Sequence, residues 1–167
     1  MIDENAFGFL VAYHSIEDDE YGLEQQEFAL RVEAFRRALH ALAEELSPGK
    51  DVRTIELGHA FYLELAEGDE TGDPIAWLRE ARARLAEFQI ETTAVLTHGG
   101  RWLDETASGS LPSEPLRRAL HAEAAAHTGL GPGLYVDGEA VEALGRSFRN
   151  APTPLEIGDD VFYRVGR

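Results

Sequence analysis

The sequence contains no cysteine, a single methionine and two tryptophans, and its 15 Lys and Arg are outnumbered by 31 Asp and Glu. Lack of cysteine removes disulfides, thiolate metal sites and cysteine nucleophiles together, and agrees with a reducing, cytoplasmic setting. Scarcity of basic residues leaves a formal charge of −16 at pH 7. Binding a nucleic-acid backbone requires Lys and Arg to displace phosphate counterions, so nucleic acid is not an expected partner, and anionic membranes are disfavoured on the same ground. Long apolar runs are missing too. The longest, about Phe9 to Tyr13, is far short of the roughly 20 residues that span a bilayer. The opening Met1-Ile2-Asp3-Glu4 is acidic where a secretory leader is basic. Neither a Gly-rich phosphate loop ending in Lys nor a Gly-x-Ser-x-Gly nucleophile turn occurs.

What is present is the composition of an ordinary globular protein, 44% hydrophobic and 28% charged over 167 residues. That length supports one domain, expected to span residues 1–167, with a core that needs no disulfide or structural metal. Residues 6–13 form a short apolar run rich in aromatic and β-branched side chains, the pattern of a strand buried on both faces. After an acidic stretch from Glu17 to Glu20, Phe28, Val32, Phe35, Leu39, Leu42 and Leu46 recur at steps of three and four, one face of a helix that Ser47-Pro48-Gly49 ends. Val52 to Leu57 and Ala60 to Ala66 read as a hairpin turning at Gly58-His59.

Beyond the acidic loop Glu67 to Asp73, Asp73 followed by Pro74 predicts a capped helix with Ile75, Leu78 and Leu85 inward. Phe88 to Thr97 reads as a strand, with His98-Gly99-Gly100 turning the chain into a short partner at Arg101 to Asp104. Ser113 is placed to cap a helix running to about His127, with Leu116, Leu120 and Ala124 on its inner side and Gly129 just past its end. A strand at Gly133 to Val136, a brief helix capped by Asp137 and reaching Leu144, and a closing hairpin around Gly158-Asp159 complete the chain. This order predicts an α+β sandwich, a mixed and largely antiparallel sheet with helices packed against it.

Several strings, in this order, resemble the catalytic domain of class III nucleotidyl cyclases. Phe9-Leu10-Val11-Ala12-Tyr13 is similar to the family's first strand, which ends in a metal-binding Asp, and Leu57-Gly58-His59-Ala60-Phe61 to the hairpin turn that carries the second. Thr97-His98-Gly99-Gly100, the segment Gly133 to Glu139 and the closing Leu155 to Val165 resemble later family segments. The resemblance implies a ferredoxin-like core. It also implies a face-to-face dimer, either a homodimer or a pairing with a related cyclase-like domain.

Catalysis in that family uses two carboxylates that hold two divalent cations, which activate a ribose hydroxyl and neutralise triphosphate charge. The matching positions here are Tyr13 and His59, which lack the anionic oxygens that Mg²⁺ prefers. The family's transition-state Asn and Arg, four residues apart on a helix, fall at Pro115 and Ala119, with Arg117 and Arg118 nearby. Asp18, Asp19 and Glu20 lie where cyclases keep a phosphate-facing loop, and would repel a triphosphate. The expectation is a domain without cyclase activity and without a resident cofactor.

Beside the degenerate positions Tyr13 and His59, the candidate cleft residues are His14, His98, Arg101, Arg117 and Arg118. A turn histidine is ordinarily a solvated polar residue; paired with His14, His59 would instead offer imidazole to a transition metal. His98 reads as a turn residue, His40, His121 and His127 as solvent-facing helix residues, and Trp77 and Trp102 as core or interface. Three functions fit: a regulatory or scaffolding module that binds another protein, a non-catalytic small-molecule or nucleotide sensor, and an acidic decoy or immunity-type protein that blocks a basic partner.

Overall fold

The computed structural model describes residues 5–16, 25–46, 53–57, 59–66, 68, 72–88, 90–100, 113–145 and 154–165, with the side chains of 14–16, 25–28, 46 and 53 outside that description. Seven strands, β1 (Asn5–Ile16), β2 (Arg53–Glu56), β3 (Ala60–Ala66), β4 (Ile90–Gly100), β5 (Leu134–Asp137), β6 (Leu155–Ile157) and β7 (Asp160–Val165), form one sheet in the order β2-β3-β1-β4-β5-β7-β6. Neighbours run antiparallel except β4 and β5. The first four strands with α1 (Gln25–Leu46) and α2 (Pro74–Ala86) make the βαββαβ order of a ferredoxin-like core. The sequence-based expectation of a mixed, largely antiparallel α+β sandwich is met.

β1 is central because both of its faces are apolar. Phe7, Phe9 and Val11 point to one side with Phe35, Leu39 and Leu42 of α1 and Ile75, Leu78 and Leu85 of α2. Leu10 and Ala12 point to the other side, where α3 (Glu114–Ala125) lays Leu116, Ala119 and Ala122 against them. The short α4 (Gly138–Ala143) joins the first layer through Ala140. Among the described residues three helices therefore cover one face and one helix the other. The expected caps are made: Asp73 Oδ1 accepts from Ile75 N–H at 3.0 Å, Ser113 Oγ from Leu116 N–H at 3.3 Å and Asp137 Oδ1 from Ala140 N–H at 2.6 Å.

Four expectations need correction. His98-Gly99-Gly100 is not a turn, because β1 pairs with β4 along its whole length, with Phe7 opposite His98 and Asn5 opposite Gly100, so the ladder takes up those backbone groups. Gly99 serves close packing instead, since a Cβ there would sit 3.3 Å from the Glu114 Cβ. Phe88 lies before β4 rather than in it and is half exposed. The inner face of α3 is Leu116, Ala119, Ala122 and then Ala126, while Ala124 is exposed. Apolar spacing alone cannot choose between stripes when a helix is this rich in alanine. Lastly, Gly129 does not end the helix: residues Ala126–Leu130 form a single π-turn, closed by the Gly131 N–H to Ala126 C=O bond of 2.9 Å, and the positive φ of 85° falls at Gly131. The expected Arg101–Asp104 strand, the Ser47-Pro48-Gly49 stop and Trp102 lie outside the described residues.

Candidate functional site

The end of β1 and the β2–β3 turn meet, as the sequence strings imply. Tyr13 N–H donates to the His59 carbonyl at 3.1 Å, and the two rings stand edge to face with centroids 6.3 Å apart. Tyr13 is half-buried and also packs edge-on against Phe35 of α1 at 5.5 Å. His59 turns the other way, with Nε2 3.2 Å from Oε1 of Glu123 on α3. The Glu123 side chain is only 13% exposed against 47% for His59, so the carboxylate is recessed and the imidazole forms the rim. Together with Ala124, His127 and Thr128 these residues line a cleft of about 390 Å³.

Glu123 was not among the candidates read from the sequence. Nothing in composition separates it from the other carboxylates, although the spacing of Glu123 and His127 puts both on one helix face. His14 lies at the irregularity where the pairing of β1 with β4 shifts register, between Tyr13 and Ser15, and its side chain is outside the described residues. Among the described residues no group of three or more His, Asp or Glu is arranged to hold a metal ion.

Arg117 and Arg118 stand apart from that cleft, nearer the other end of α3. Arg118 is buried, and its Nη1 donates to the His98 carbonyl at 2.7 Å and to Asp137 Oδ2 at 3.0 Å, with Glu139 at 3.1 Å. Burial pushes the Asp137 carboxyl up, and hydrogen bonds from Ala140, Arg118 and His98 pull it part of the way back. Burial works against the Arg118 charge, yet Asp137 and Glu139 hold the guanidinium above its usual value. Arg117 is more exposed, 2.9 Å from Glu114 and 3.7 Å from Asp160. His98 is buried against Phe7, with ring centroids 5.0 Å apart. The expected cleft residues thus separate: Tyr13 and His59 share one site, Arg117, Arg118 and His98 belong to a structural ion cluster, and Arg101 lies outside the described residues.

No protein-family model and no curated protein matches this sequence. Solved structures do match over nearly its whole length. The adenylyl cyclase CyaB from P. aeruginosa superposes with a TM-score of 0.68 at 10% identity, covering 98% of this chain and 95% of that one. A bacterial light-regulated adenylyl cyclase gives 0.68 at 13% identity, covering 96% and 90%. The dimeric guanylyl cyclase domain of the RhoGC fusion protein from the aquatic fungus Blastocladiella emersonii gives 0.63 at 13%, covering 98% and 97%. This chain has the class III nucleotidyl cyclase fold. The RhoGC cyclase domain has also been solved as a monomer.

Within the cyclase fold, Tyr13 lies three residues before the end of the first strand, at the register shift in its pairing with β4, and His59 sits in the β2–β3 turn. The donors that the described residues bring together there are a phenol, the imidazoles of His59 and His127, and one carboxylate already engaged by His59. A pair of Mg²⁺ ions does not fit this set, because magnesium is held by hard anionic oxygens. Pro115 and Ala119, the matches to the transition-state pair, are buried under α3 against the sheet.

Proposed function

We propose that this cyclase-fold chain is catalytically silent and acts as a regulatory or scaffolding module through contact with a second cyclase-like protomer, its own copy first. The replacement of the two family metal positions by Tyr13 and His59, with His59 turned onto Glu123, is the observation that carries the reading. Phosphate recognition elsewhere is disfavoured, because Arg117 and Arg118 are met by the carboxylates of Glu114, Asp137, Glu139 and Asp160, leaving 2 − 4 = −2 at that end of α3.

The protein-contact half of the proposal rests on coverage of the sheet. Seven strands spaced at about 4.8 Å make a sheet roughly 30 Å wide, whereas a helix is about 10 Å across. On the α3 side, Ile55 and Leu57 at one edge and Leu155 and Ile157 at the other stay only partly buried among the described residues. Partly covered apolar residues flanking a single helix suit a protein surface.

Purified protein incubated with ATP or GTP and Mg²⁺ or Mn²⁺ is expected to make no cyclic nucleotide above a protein-free blank, measured by mass spectrometry. Product that disappears in His59→Ala would overturn the silent reading. In sedimentation velocity the chain is expected to self-associate, and Leu57→Asp or Ile157→Asp to shift it toward monomer. A monomer at every concentration would remove the homodimer.

A further inference from the structure

The cleft at Tyr13, His59 and Glu123 has a chemistry of its own. Its rim and walls are aromatic or small: the Tyr13 phenol, the His59 and His127 imidazoles, Ala124 and Thr128. Among its described lining residues the recessed Glu123 supplies the one carboxylate, and none is Lys or Arg. The wall from Ala124 to Thr128 is the C-terminal end of α3 running into the π-turn, where the Thr128 hydroxyl donates to the Ala124 carbonyl at 2.9 Å and the Gly131 N–H to that of Ala126. The Glu123 carboxylate and a net charge of −16 both favour a cation and oppose a nucleotide. Mostly apolar walls with one charged anchor are what a small organic ligand needs, and aromatic faces attract an ammonium. His59 engages Oε1 of Glu123 at 3.2 Å.

We infer that this cleft binds a small organic cation, an aryl or alkyl amine whose ammonium meets Glu123 and whose apolar body lies against Tyr13 and the imidazoles. The inference goes beyond the protein-contact proposal and does not depend on it.

The test is isothermal titration of the full chain with benzylamine, benzyl alcohol and benzoate at about pH 8, where the amine is still charged. Benzylamine is expected to bind with a Kd on the order of 1 mM, the range open to a ligand of about eight heavy atoms. The neutral and anionic analogues should bind at least tenfold more weakly, roughly the worth of one charge-assisted hydrogen bond. Glu123→Gln, which keeps the shape of the side chain, should lose about tenfold for the amine on the same ground. Tyr13→Leu should weaken it severalfold. Glu142→Gln, on exposed α4 across the sheet, controls for diffuse attraction to an acidic surface and should change nothing. Equal affinity in wild type and Glu123→Gln, equal binding of benzyl alcohol, or no heat from the amine would each overturn the inference. Cyclic nucleotide production bears on the proposed function alone, so the two failures are distinguishable.

Discussion

Arg118→Ala is expected to cost about 3–5 kcal/mol of stability, the penalty for leaving one member of a buried ion pair unpaired. The guanidinium ties three elements at once, donating from Nη1 to the His98 carbonyl of β4 and to Asp137 at the start of α4, while Nε lies 3.7 Å from Asp160 of β7. Truncation leaves Asp137, 2% exposed, with the backbone N–H groups of Ala140 and His98 as its remaining donors among the described residues. At this chain length the loss corresponds to a drop in Tm of roughly 10 °C. The pH dependence gives the mechanism away. Burial already raises the Asp137 carboxyl above its ordinary value, and removing Arg118 raises it further. A carboxyl raised on folding contributes stability that is present below its unfolded value and lost as pH climbs through its folded one. The gap between wild type and Arg118→Ala should therefore be widest at neutral pH and narrow in acid, as read from urea melts at about pH 7.5 and pH 5. Adding Asp137→Asn should recover part of the loss, since an amide can still accept from Ala140 without an unpaired charge. A deficit that is flat with pH would mean that lost packing dominates.

That cluster also marks where sequence reasoning stops. Arg117 and Arg118 can be read as phosphate-facing because arginines near a cleft usually are, but which carboxylates reach them depends on β5, β7 and α4 converging from 19 to 43 positions away. Local signals were legible: the Asp73, Ser113 and Asp137 caps, the β6–β7 turn at Gly158 with φ 63°, and the two-faced apolar run of β1 depend on neighbours in the chain. The meeting of Tyr13 with His59 was legible through the resemblance of short strings in their order. Glu123 was not, because its role comes from the angle at which α3 crosses the sheet, and one glutamate among 31 acidic residues carries no mark of that. His98-Gly99-Gly100 misled for the opposite reason. Paired glycines ordinarily signal a turn, and here Gly99 admits a helix instead.

Gly8→Ala is the second large effect, expected to destabilise by about 2–4 kcal/mol as an overpacking change at a site with no room to relax. A Cβ at Gly8 would stand 2.6 Å from the Tyr62 hydroxyl, 2.7 Å from Thr97 Oγ1 and 2.9 Å from the Pro115 Cβ. None of these can swing clear cheaply. Tyr62 O–H donates to Glu64 at 2.6 Å, Thr97 O–H donates to the Pro115 carbonyl at 2.8 Å, and Ser113 O–H donates to the same Glu64 oxygen as Tyr62, at 2.7 Å, while Ser113 caps α3. One methyl group therefore presses on the network that seats α3 against β1. Gly100→Ala is the control, since a Cβ there meets nothing within 4 Å, and its cost should stay within about 0.5 kcal/mol. Tyr62→Phe removes the closest clashing atom, so the double variant Gly8→Ala/Tyr62→Phe should be less destabilised than the sum of the singles by roughly 1 kcal/mol. Strict additivity would show that the hydroxyl is not what Gly8 accommodates. The consequence reaches the candidate site, because the helix that Gly8 admits also carries Glu123 to within 3.2 Å of His59. A Gly8→Ala chain that still folds should therefore bind benzylamine more weakly than wild type although it alters no residue of the cleft.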